Sequence, residues 1–404
     1  MFLDLDDFKT VNDSLDHAVG DKLLNATARR VEETLRAQDT AARLGGDEFA
    51  ILLEDVTSDS AALAIADRVL DALAPPVSID GHQLTIAASI GVACPAHSAT
   101  AEEVLRNAEV AMYAAKQRGK GRVAGFEAAM HEQVVQRLEL TGELGTALEN
   151  DELVLVYQPV VELLGSSLIG FEALLRWVHP ERGRLAPDRF IELAESTGLI
   201  VPIGHWVLRT ACTQLVEWEA NHPSAQALEM SVNVSMRQIA DPEFPGHVRD
   251  ALAESGIDPA QLTLEITERL LVDDSHVVLR QLEELKDLGV RLAVDDFGTG
   301  YSALSYLQSF PIDVLKIDRS FVSGMDRDTE KGCLLRGIID MGHGLGLQIV
   351  TEGIEQPGQA ALLRDFGSDF GQGYLFSRPL DAGAVTEYLA DRDHVAVAEL
   401  AAGA

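Results

Sequence analysis

The chain has 404 residues, 47% of them hydrophobic, and carries a formal net charge of −33 at pH 7. This length and composition supply cores for two or three domains, which excludes a disordered polypeptide. The excess of acidic residues argues against contact with polymeric nucleic acid, because phosphate backbones are bound by stripes of Lys and Arg.

The cysteines and the apolar segments indicate the compartment. Cys94, Cys212 and Cys333 are far apart and show no CxxC or Cys/His spacing, so we expect neither a disulfide framework nor a zinc site. The first residues lack the basic and apolar regions of a secretory signal, and no apolar run reaches the roughly 18 residues that span a bilayer. We therefore expect a cytoplasmic chain with no membrane segment.

The first 125 residues alternate short apolar strands with amphipathic helices. The predicted elements are a strand at 2–6, a helix at 21–38, two strands around a glycine turn at 43–54, a helix at 59–73, a hairpin that turns at Asp80 and Gly81 with 83–93 as its long arm, and a helix at 101–118. This pattern predicts an α/β domain with a largely antiparallel sheet.

The glycine turn, in RLGGDEFAILL, brings two glycines and two acids together. One interpretation is a turn with solvated acids. Alternatively, Gly45 and Gly46 let the backbone approach a nucleotide, while Glu48 and Asp4 bind a metal ion on its phosphates. The turn alone does not decide between these interpretations.

Residues 127–150 are charged and lack proline, which predicts a connecting helix. Beyond it, predicted strands at 153–161, 168–177, 228–235, 261–268, 291–297, 313–318 and 347–353 alternate with helices at 187–220, 243–254, 275–288, 328–342 and 356–364. Repeated βα units over roughly 250 residues predict a (β/α)8 barrel of the TIM type. We therefore divide the chain into an α/β domain at 1–126, a connecting helix at 127–150, a barrel at 151–392 and a C-terminal tail at 393–404.

Polar residues occupy the ends of the predicted barrel strands, where the functional residues of such barrels lie. They are Glu172, Asn233, Glu265, Asp295, Asp296, Lys316 and Glu352, and Ser231 and Thr263 share a strand face with Asn233 and Glu265. Taken singly, each acid fits a helix cap or a solvated charge. Brought together, they would place several carboxylates beside one lysine. Such a cluster predicts two hard divalent cations, Mg²⁺ or Mn²⁺, with Asp295 bridging both ions and Asp296 holding one.

Seven ordered motifs resemble the EAL-domain phosphodiesterases of cyclic di-GMP over about 130–390: FEALLRW with YQP upstream, SVNVS, LEITE, DDFGTGYSALSYL, LKID, TEGIE and GQGYLFSRP. The resemblance implies that one metal ion is held by Glu172, Asn233, Glu265 and Asp295, and a second by Asp295, Asp296 and Glu352. It implies that Lys316 positions the attacking water, that Glu268 anchors the loop after Asp296, and that Glu352 belongs to the catalytic set. The implied substrate contacts are Gln158, Arg176, Asp318 and Gln372. Thr351, where the family commonly has Ala, is the departure that we find in these motifs.

The segments FLDLDDFKTVND, VGD, GGDEF, SIGVA and AMYAAKQRGKGR resemble the GGDEF diguanylate cyclase domain. The resemblance implies that Asp4 and Glu48 bind Mg²⁺ and that GTP contacts Asn12, Asp21, Gly45, Gly46, Asp47, Lys116 and Lys120. Arg36 and Asp39, in RAQD, stand at the family's inhibitory site for cyclic di-GMP. The family's usual segment before the strand at 2–6 is missing from this sequence, so we expect little or no cyclase activity.

The leading hypothesis is a phosphodiesterase that opens cyclic di-GMP to linear pGpG by metal-assisted attack of water, with a GGDEF domain that is regulatory or weakly active. Two alternatives remain open. The chain could be a bifunctional cyclase and phosphodiesterase, or a non-catalytic receptor of cyclic di-GMP. The resemblance also implies a homodimer.

Overall fold

The computed structural model describes residues 1–94, 100–165, 167–268, 270, 276–298, 307, 309–325 and 329–402. The chain forms two compact units, Met1–Glu139 and Leu140–Ala404. Most of the predicted motif segment GTGYSALSYL at 298–307 lies outside the described residues, as do the predicted starts of the helices at 275 and 328.

The first unit is an α/β domain with one five-stranded sheet and a separate two-stranded sheet. Its strands are β1 Phe2–Leu5, β2 Thr40–Gly45, β3 Glu48–Leu52, β4 Val77–Ile79, β5 His82–Leu84, β6 Ala88–Val92 and β7 Val123–Gly125. Its helices are α1 Phe8–Leu15, α2 His17–Thr34, α3 Asp59–Leu73 and α4 Ala101–Gln117, and α5 Ala128–Ala147 runs across the division between the units. The strand order is β2-β3-β1-β6-β7, antiparallel except for β6 with β7. The predicted, largely antiparallel sheet is confirmed.

Two predictions for the first unit were wrong in detail. The helix expected at 21–38 is α2, which ends four residues earlier because Leu35 is extended, and α1 precedes it across a break at Asp16 (φ 85°). The long arm expected at 83–93 is two strands. Among the described strands β5 pairs with β4 alone and ends at Leu84, whereas β6 is fully buried and pairs with β1 in the main sheet.

The second unit is a closed barrel. Its strands are β8 Leu153–Glu162, β9 Leu168–His179, β10 Gly183–Leu185, β11 Glu229–Val234, β12 Leu262–Thr267, β13 Arg291–Phe297, β14 Val314–Ile317, β15 Gln348–Thr351 and β16 Phe370–Gln372. Its helices are α6 Ile191–Thr197, α7 Ile200–Asn221, α8 Met236–Ile239, α9 Phe244–Ser255, α10 His276–Asp287, α11 Arg319–Val322, α12 Thr329–Gly344, α13 Pro357–Phe366 and α14 Ala382–Ala402, with 3₁₀ turns at Pro187–Arg189, Pro223–Ala225 and Pro259–Gln261. Eight strands close through the pairing of β8 with β9. The predicted eight-stranded barrel is confirmed.

The barrel departs from an all-parallel arrangement at β8, which is antiparallel to both β9 and β16. The reason is local: only a short turn, and no helix, separates β8 from β9, so the two strands form a hairpin. The helix expected at 187–220 is also divided, because Gly198 (φ 85°) ends α6 before α7 begins. At the C-terminus, α14 continues into the residues expected to form a tail at 393–404.

Part of the barrel interior is an apolar cluster, in which Ala293, Val314 and Val350 are buried against Val160 and Phe370. The three tryptophans of the sequence, Trp177, Trp206 and Trp218, all belong to the second unit. Their fluorescence therefore reports on the barrel. No helix within the described ranges is long and apolar enough to cross a bilayer.

Candidate active site

Each of the eight barrel strands contributes a polar side chain to one cluster. In β11–β16 this side chain lies at or just after the carboxyl end of the strand, whereas in β8 and β9 it lies in the middle of the strand. In strand order these side chains are Gln158, Glu172, Asn233, Glu265, Asp295, Lys316, Glu352 and Gln372. They are separated by up to 214 residues in the sequence. The parallel register of β11–β15 and the antiparallel pairing of Gln158 with Glu172 bring them together. The structure brings these predicted side chains into one cluster.

Lys316 is the centre of the cluster. Its side chain is 2% exposed, and its Nζ lies 2.6 Å from Glu265 Oε2 and 2.7 Å from Glu352 Oε1. The same Nζ lies 3.4 Å from Asp295 Oδ1 and 3.5 Å from Glu172 Oε2. Burial disfavours the ammonium, but the surrounding carboxylates raise the pKa of Lys316 well above its ordinary value. Lys316 is therefore a fixed positive charge.

Glu172 is held by amides as well as by Lys316. Asn233 Nδ2 donates to Glu172 Oε1 at 2.6 Å, and Gln372 Nε2 donates to Glu172 Oε2 at 2.7 Å. Gln372 Nε2 also donates to Gln158 Oε1 at 3.1 Å, and Gln158 Nε2 donates to the Ser377 carbonyl. Burial opposes ionisation of Glu172, but Lys316 and the amide donors outweigh it and lower its pKa. Glu172 is thus a carboxylate fixed in one orientation.

The remaining carboxylates are not fully compensated by a single ammonium. Burial, with repulsion from Glu172 and Asp295, raises the pKa of Glu265 well above its ordinary value despite Lys316. Burial likewise raises the pKa of Glu352 to about 8. At neutral pH the cluster therefore holds protons that a bound cation would displace.

The donor set fits hard divalent cations, because its oxygens belong to carboxylates and amides. Asp295 and Asp296 meet at the end of β13, where Asp296 adopts φ 55° and its N–H donates to Asp295 Oδ1 at 2.9 Å. Burial and the neighbouring Asp295 raise the pKa of Asp296. Among the described residues, no three His, Cys, Asp or Glu side chains are spaced as ligands of one ion, since the carboxylates converge on Lys316.

The pKa of Glu352 predicts how stability depends on pH without metal. The folded state binds its proton up to about pH 8, whereas the unfolded chain releases it near 4.5, so stability present below pH 4.5 is lost as pH rises to about 8. We expect the Tm from tryptophan fluorescence in EDTA to fall by about 5 °C or more across this range. Glu352→Gln removes the ionisation and should flatten the slope. An equally steep slope in that variant would contradict the assignment.

Three further predicted residues have local partners. Glu268, immediately after β12, accepts from the Gly298 N–H at 2.8 Å, which ties the segment after Asp296 to the neighbouring strand end. Asp318 caps α11 by accepting from the Ser320 N–H at 2.9 Å. Arg176, half-buried on β9, donates to its neighbour's carbonyl, and burial lowers the pKa of its guanidinium.

Thr351, the departure from the family pattern, has a partner that the sequence did not reveal. Its hydroxyl lies 2.8 Å from Ser368 Oγ, and both side chains are buried. The hydroxyl is therefore satisfied away from the carboxylates. Ser368 lies 17 residues after Thr351, and no sequence motif links the two, so this contact could not be predicted from the sequence.

The first unit brings together part of its predicted site. Asp4 on β1 is directly opposite Glu48 on β3, and Lys116 Nζ lies 2.5 Å from Asp4 Oδ1. Burial raises the pKa of both acids, and Asp4 adds repulsion at Glu48. In the adjoining turn, Gly45 and Gly46 have open space around their α-carbons, and Asp47 lies beside them. This pair of acids beside an open glycine turn fits a cation with its phosphate ligand.

The other predicted nucleotide residues are more scattered. Asn12 on α1 lies against Gly20, the residue before Asp21 on α2, so these two predicted residues are neighbours. Lys120 pairs with Asp7 at 2.7 Å. Asp39 accepts from the Arg36 N–H at 3.0 Å, so its carboxylate closes a local turn.

Family comparisons agree with both units. The family model described as "EAL domain" matches residues 141–379, and the one described as "Diguanylate cyclase, GGDEF domain" matches residues 1–122. The "Bifunctional diguanylate cyclase/cyclic di-GMP phosphodiesterase MucR" of Pseudomonas aeruginosa is 41% identical over 95% of this chain and 56% of its own length. The "Cyclic di-GMP phosphodiesterase NbdA" of the same organism is 40% identical over 96% of this chain and 49% of its own length. The chain thus spans about half the length of these relatives.

Solved structures resemble a large part of this chain. "PaMucR Phosphodiesterase, c-di-GMP complex" is 41% identical, with a TM-score of 0.58 over 61% of this chain and 99% of that one. "Structure of EAL Enzyme Bd1971 - cAMP and cyclic-di-GMP bound form" is 31% identical, with a TM-score of 0.62 over 72% of this chain and 77% of that one.

Proposed function

Because the chain belongs to the EAL domain family and also carries a GGDEF domain, we propose that it hydrolyses cyclic di-GMP to linear pGpG. The observation that carries this proposal is the cluster of four carboxylates around Lys316 at the strand ends. Its support from relatives is the 41% identity to a phosphodiesterase solved in complex with cyclic di-GMP.

In this proposal Glu172, Asn233, Glu265 and Asp295 would hold one Mg²⁺ or Mn²⁺, and Asp295, Asp296 and Glu352 would hold another. When bound, the two ions would supply Lewis-acid stabilisation of charge on the attacking and leaving oxygens. Lys316 positions the attacking water through its ammonium, which the carboxylates keep protonated. Glu268 restrains the segment after Asp296 through Gly298.

The reaction is an in-line displacement at one of the two phosphodiesters. Water adds to phosphorus, the bond to the 3′ oxygen breaks, and that oxygen leaves with a proton to give linear pGpG. Gln158, Arg176, Asp318 and Gln372 would bind the substrate. The guanidinium of Arg176 is suited to a phosphate because it presents paired N–H donors.

The test is incubation of the purified chain with cyclic di-GMP and Mg²⁺ or Mn²⁺, followed by chromatography. We expect pGpG to accumulate and EDTA to stop its formation. Binding of cyclic di-GMP without any pGpG would instead support the non-catalytic receptor.

The pairing of Asp4 with Glu48 supports a second role, Mg²⁺-dependent binding of GTP by the GGDEF domain, which is regulatory or weakly active as a cyclase. The name of MucR favours the bifunctional alternative, whereas that of NbdA does not.

A cytoplasmic location and a homodimer complete the proposal. The free thiols of Cys94, Cys212 and Cys333 fit a reducing compartment, and light scattering would test the dimer.

We expect calorimetry with GTP and Mg²⁺ to detect binding, and Asp4→Asn to weaken it by about tenfold or more, because a carboxylate facing the cation is lost. Asp80→Asn, at an exposed turn of the same unit, is the control and should not change the affinity. Cyclase activity is measured in a Glu172→Ala background, so that any cyclic product is not degraded. Rapid formation of cyclic di-GMP there would contradict the weakly active assignment.

A further inference from the structure

A small cavity lies inside the barrel on the side of Glu265 and Lys316 away from the strand ends. Its volume is about 30 Å³, and its lining includes Ser231, Thr263, Glu265 and Lys316. Arg291, which contacts Glu229, also lines it from the amino-terminal ends of the strands. The cavity is thus polar where it adjoins the carboxylate cluster, and the proposed reaction assigns it no role.

Thr263 lines this cavity and carries a buried, unsatisfied hydroxyl. The residue is 2% exposed, and within the described part of the chain its Oγ1 has no hydrogen-bond partner. Thr263 precedes Glu265 by two residues on β12, so the two side chains emerge on the same face of the strand. Ser231 on β11 is directly opposite Thr263. A buried hydroxyl without a partner is costly, and native proteins commonly satisfy such groups with ordered water.

The cavity is large enough for such a water. One water needs roughly 10–15 Å³ of this kind of volume and two to four polar partners. The volume of about 30 Å³ holds one or two waters, and Thr263, Ser231 and Glu265 supply hydroxyl and carboxylate groups around it. The rest of the lining is mostly apolar, including Ala293, Val314 and Val350, and an apolar cavity of this size would stay dry. A water would therefore lie on the side of Ser231, Thr263 and Glu265.

We infer that the cavity binds an ordered water between Thr263 and Glu265, and that Thr263 is thereby a positioning residue for the Glu265–Lys316 pair. The hydroxyl of Thr263 and the water would hold the Glu265 carboxylate from the side opposite the reaction. Glu265 in turn accepts from Lys316 at 2.6 Å, so its orientation sets that of the ammonium. The positioning role rests on the proposed phosphodiesterase function, whereas the water site does not.

The water site is tested by crystallography and by stability of the full chain. Wild type and Thr263→Ser should show an ordered water next to residue 263, and Thr263→Val should lack it. Valine has the shape of threonine without the hydroxyl, so a satisfied hydroxyl predicts a lower barrel Tm for Thr263→Val. A higher Tm for Thr263→Val, with no water in the wild type, would overturn the site.

The positioning role is tested by hydrolysis kinetics. We expect kcat of Thr263→Val to fall by about tenfold while KM changes by less than about twofold, because alignment and not substrate binding is lost. Thr263→Ser should restore kcat to within about twofold. Thr27→Val, a buried threonine of the first unit that donates to a helix carbonyl, is the control for removing a hydroxyl and should hydrolyse normally.

The outcomes separate the two levels of inference. Unchanged kcat in Thr263→Val, with an active wild type, would overturn the positioning role alone. An inactive wild type would overturn the phosphodiesterase function and with it the positioning role, while the water and the Tm still decide the cavity site.

Discussion

Glu172→Ala should reduce hydrolysis of cyclic di-GMP by about 10³-fold or more while the barrel remains folded. Glu172 is the carboxylate that the structure fixes most completely, with Asn233 and Gln372 donating to its two oxygens and Lys316 3.5 Å away. Removing it deletes a proposed metal ligand but also one negative charge from a crowded cluster. The cost to folding comes from the lost attraction to Lys316 and from the Asn233 amide left without this acceptor, and relief of carboxylate repulsion offsets part of it. Gln372 keeps Gln158 as an acceptor.

The measurement is the rate of pGpG formation at saturating substrate, with tryptophan fluorescence and circular dichroism to verify the fold. Glu172→Gln keeps the shape of the side chain and should lose as much activity as Glu172→Ala. Glu284→Ala serves as the control, because Glu284 is 54% exposed on α10 and pairs only weakly with Arg280 at 3.9 Å. Turnover by a folded Glu172→Ala at the wild-type rate would remove Glu172 from its metal role.

Lys316→Met should destabilise the metal-free barrel by about 3–5 kcal/mol, as expected when one partner of a buried ion pair is removed. Four carboxylates would then share the barrel end without a positive charge, although their partial protonation reduces the cost. Added Mg²⁺ or Mn²⁺ should restore most of the stability, because the cations replace the ammonium. Hydrolysis should remain impaired, since Lys316 positions the water in the proposed reaction.

Denaturant unfolding followed by tryptophan fluorescence, in EDTA and in Mg²⁺, measures this effect. Lys286→Met is the matched control, because Lys286 pairs with Asp313 at 2.7 Å but is 29% exposed. Lys286→Met should lower the free energy of unfolding by at most about 1 kcal/mol, and by the same amount in EDTA and in Mg²⁺. Equal stability of wild type and Lys316→Met in EDTA would show that the carboxylates do not depend on Lys316.

The location of the candidate site could be predicted because it depends on local periodicity. Polar residues such as Glu265 and Lys316 occur where a buried strand should be apolar, and the carboxyl ends of barrel strands lie together. The two departures from the predicted barrel, the divided helix and the β8–β9 hairpin, also have local causes in the sequence. Gly198 marks the break in the helix expected at 187–220, and the short segment between β8 and β9 leaves no room for a crossover helix.

The contacts within the site could not be predicted, because they depend on tertiary distances. Gln372 was expected to bind substrate, yet here its amide donates to Glu172, 200 residues away in the sequence. Similarly, Thr263 and Ser231 were recognised as polar residues on inward faces, but only the packed barrel reveals a cavity between them and Lys316. Residue type and spacing identify which side chains meet, whereas which atom bonds to which is set by strand register and rotamer.

The central claim is that the strand-end carboxylates gather divalent cations. Anomalous diffraction from crystals of the full chain soaked in Mn²⁺ tests it most directly, because manganese scatters anomalously and protein oxygen does not measurably do so. We predict two peaks about 3.5–4 Å apart, bounded by Glu172, Glu265, Asp295 and Glu352, both of which disappear after EDTA treatment. Fully occupied manganese elsewhere on the chain, with no peak among these four carboxylates, would contradict the claim.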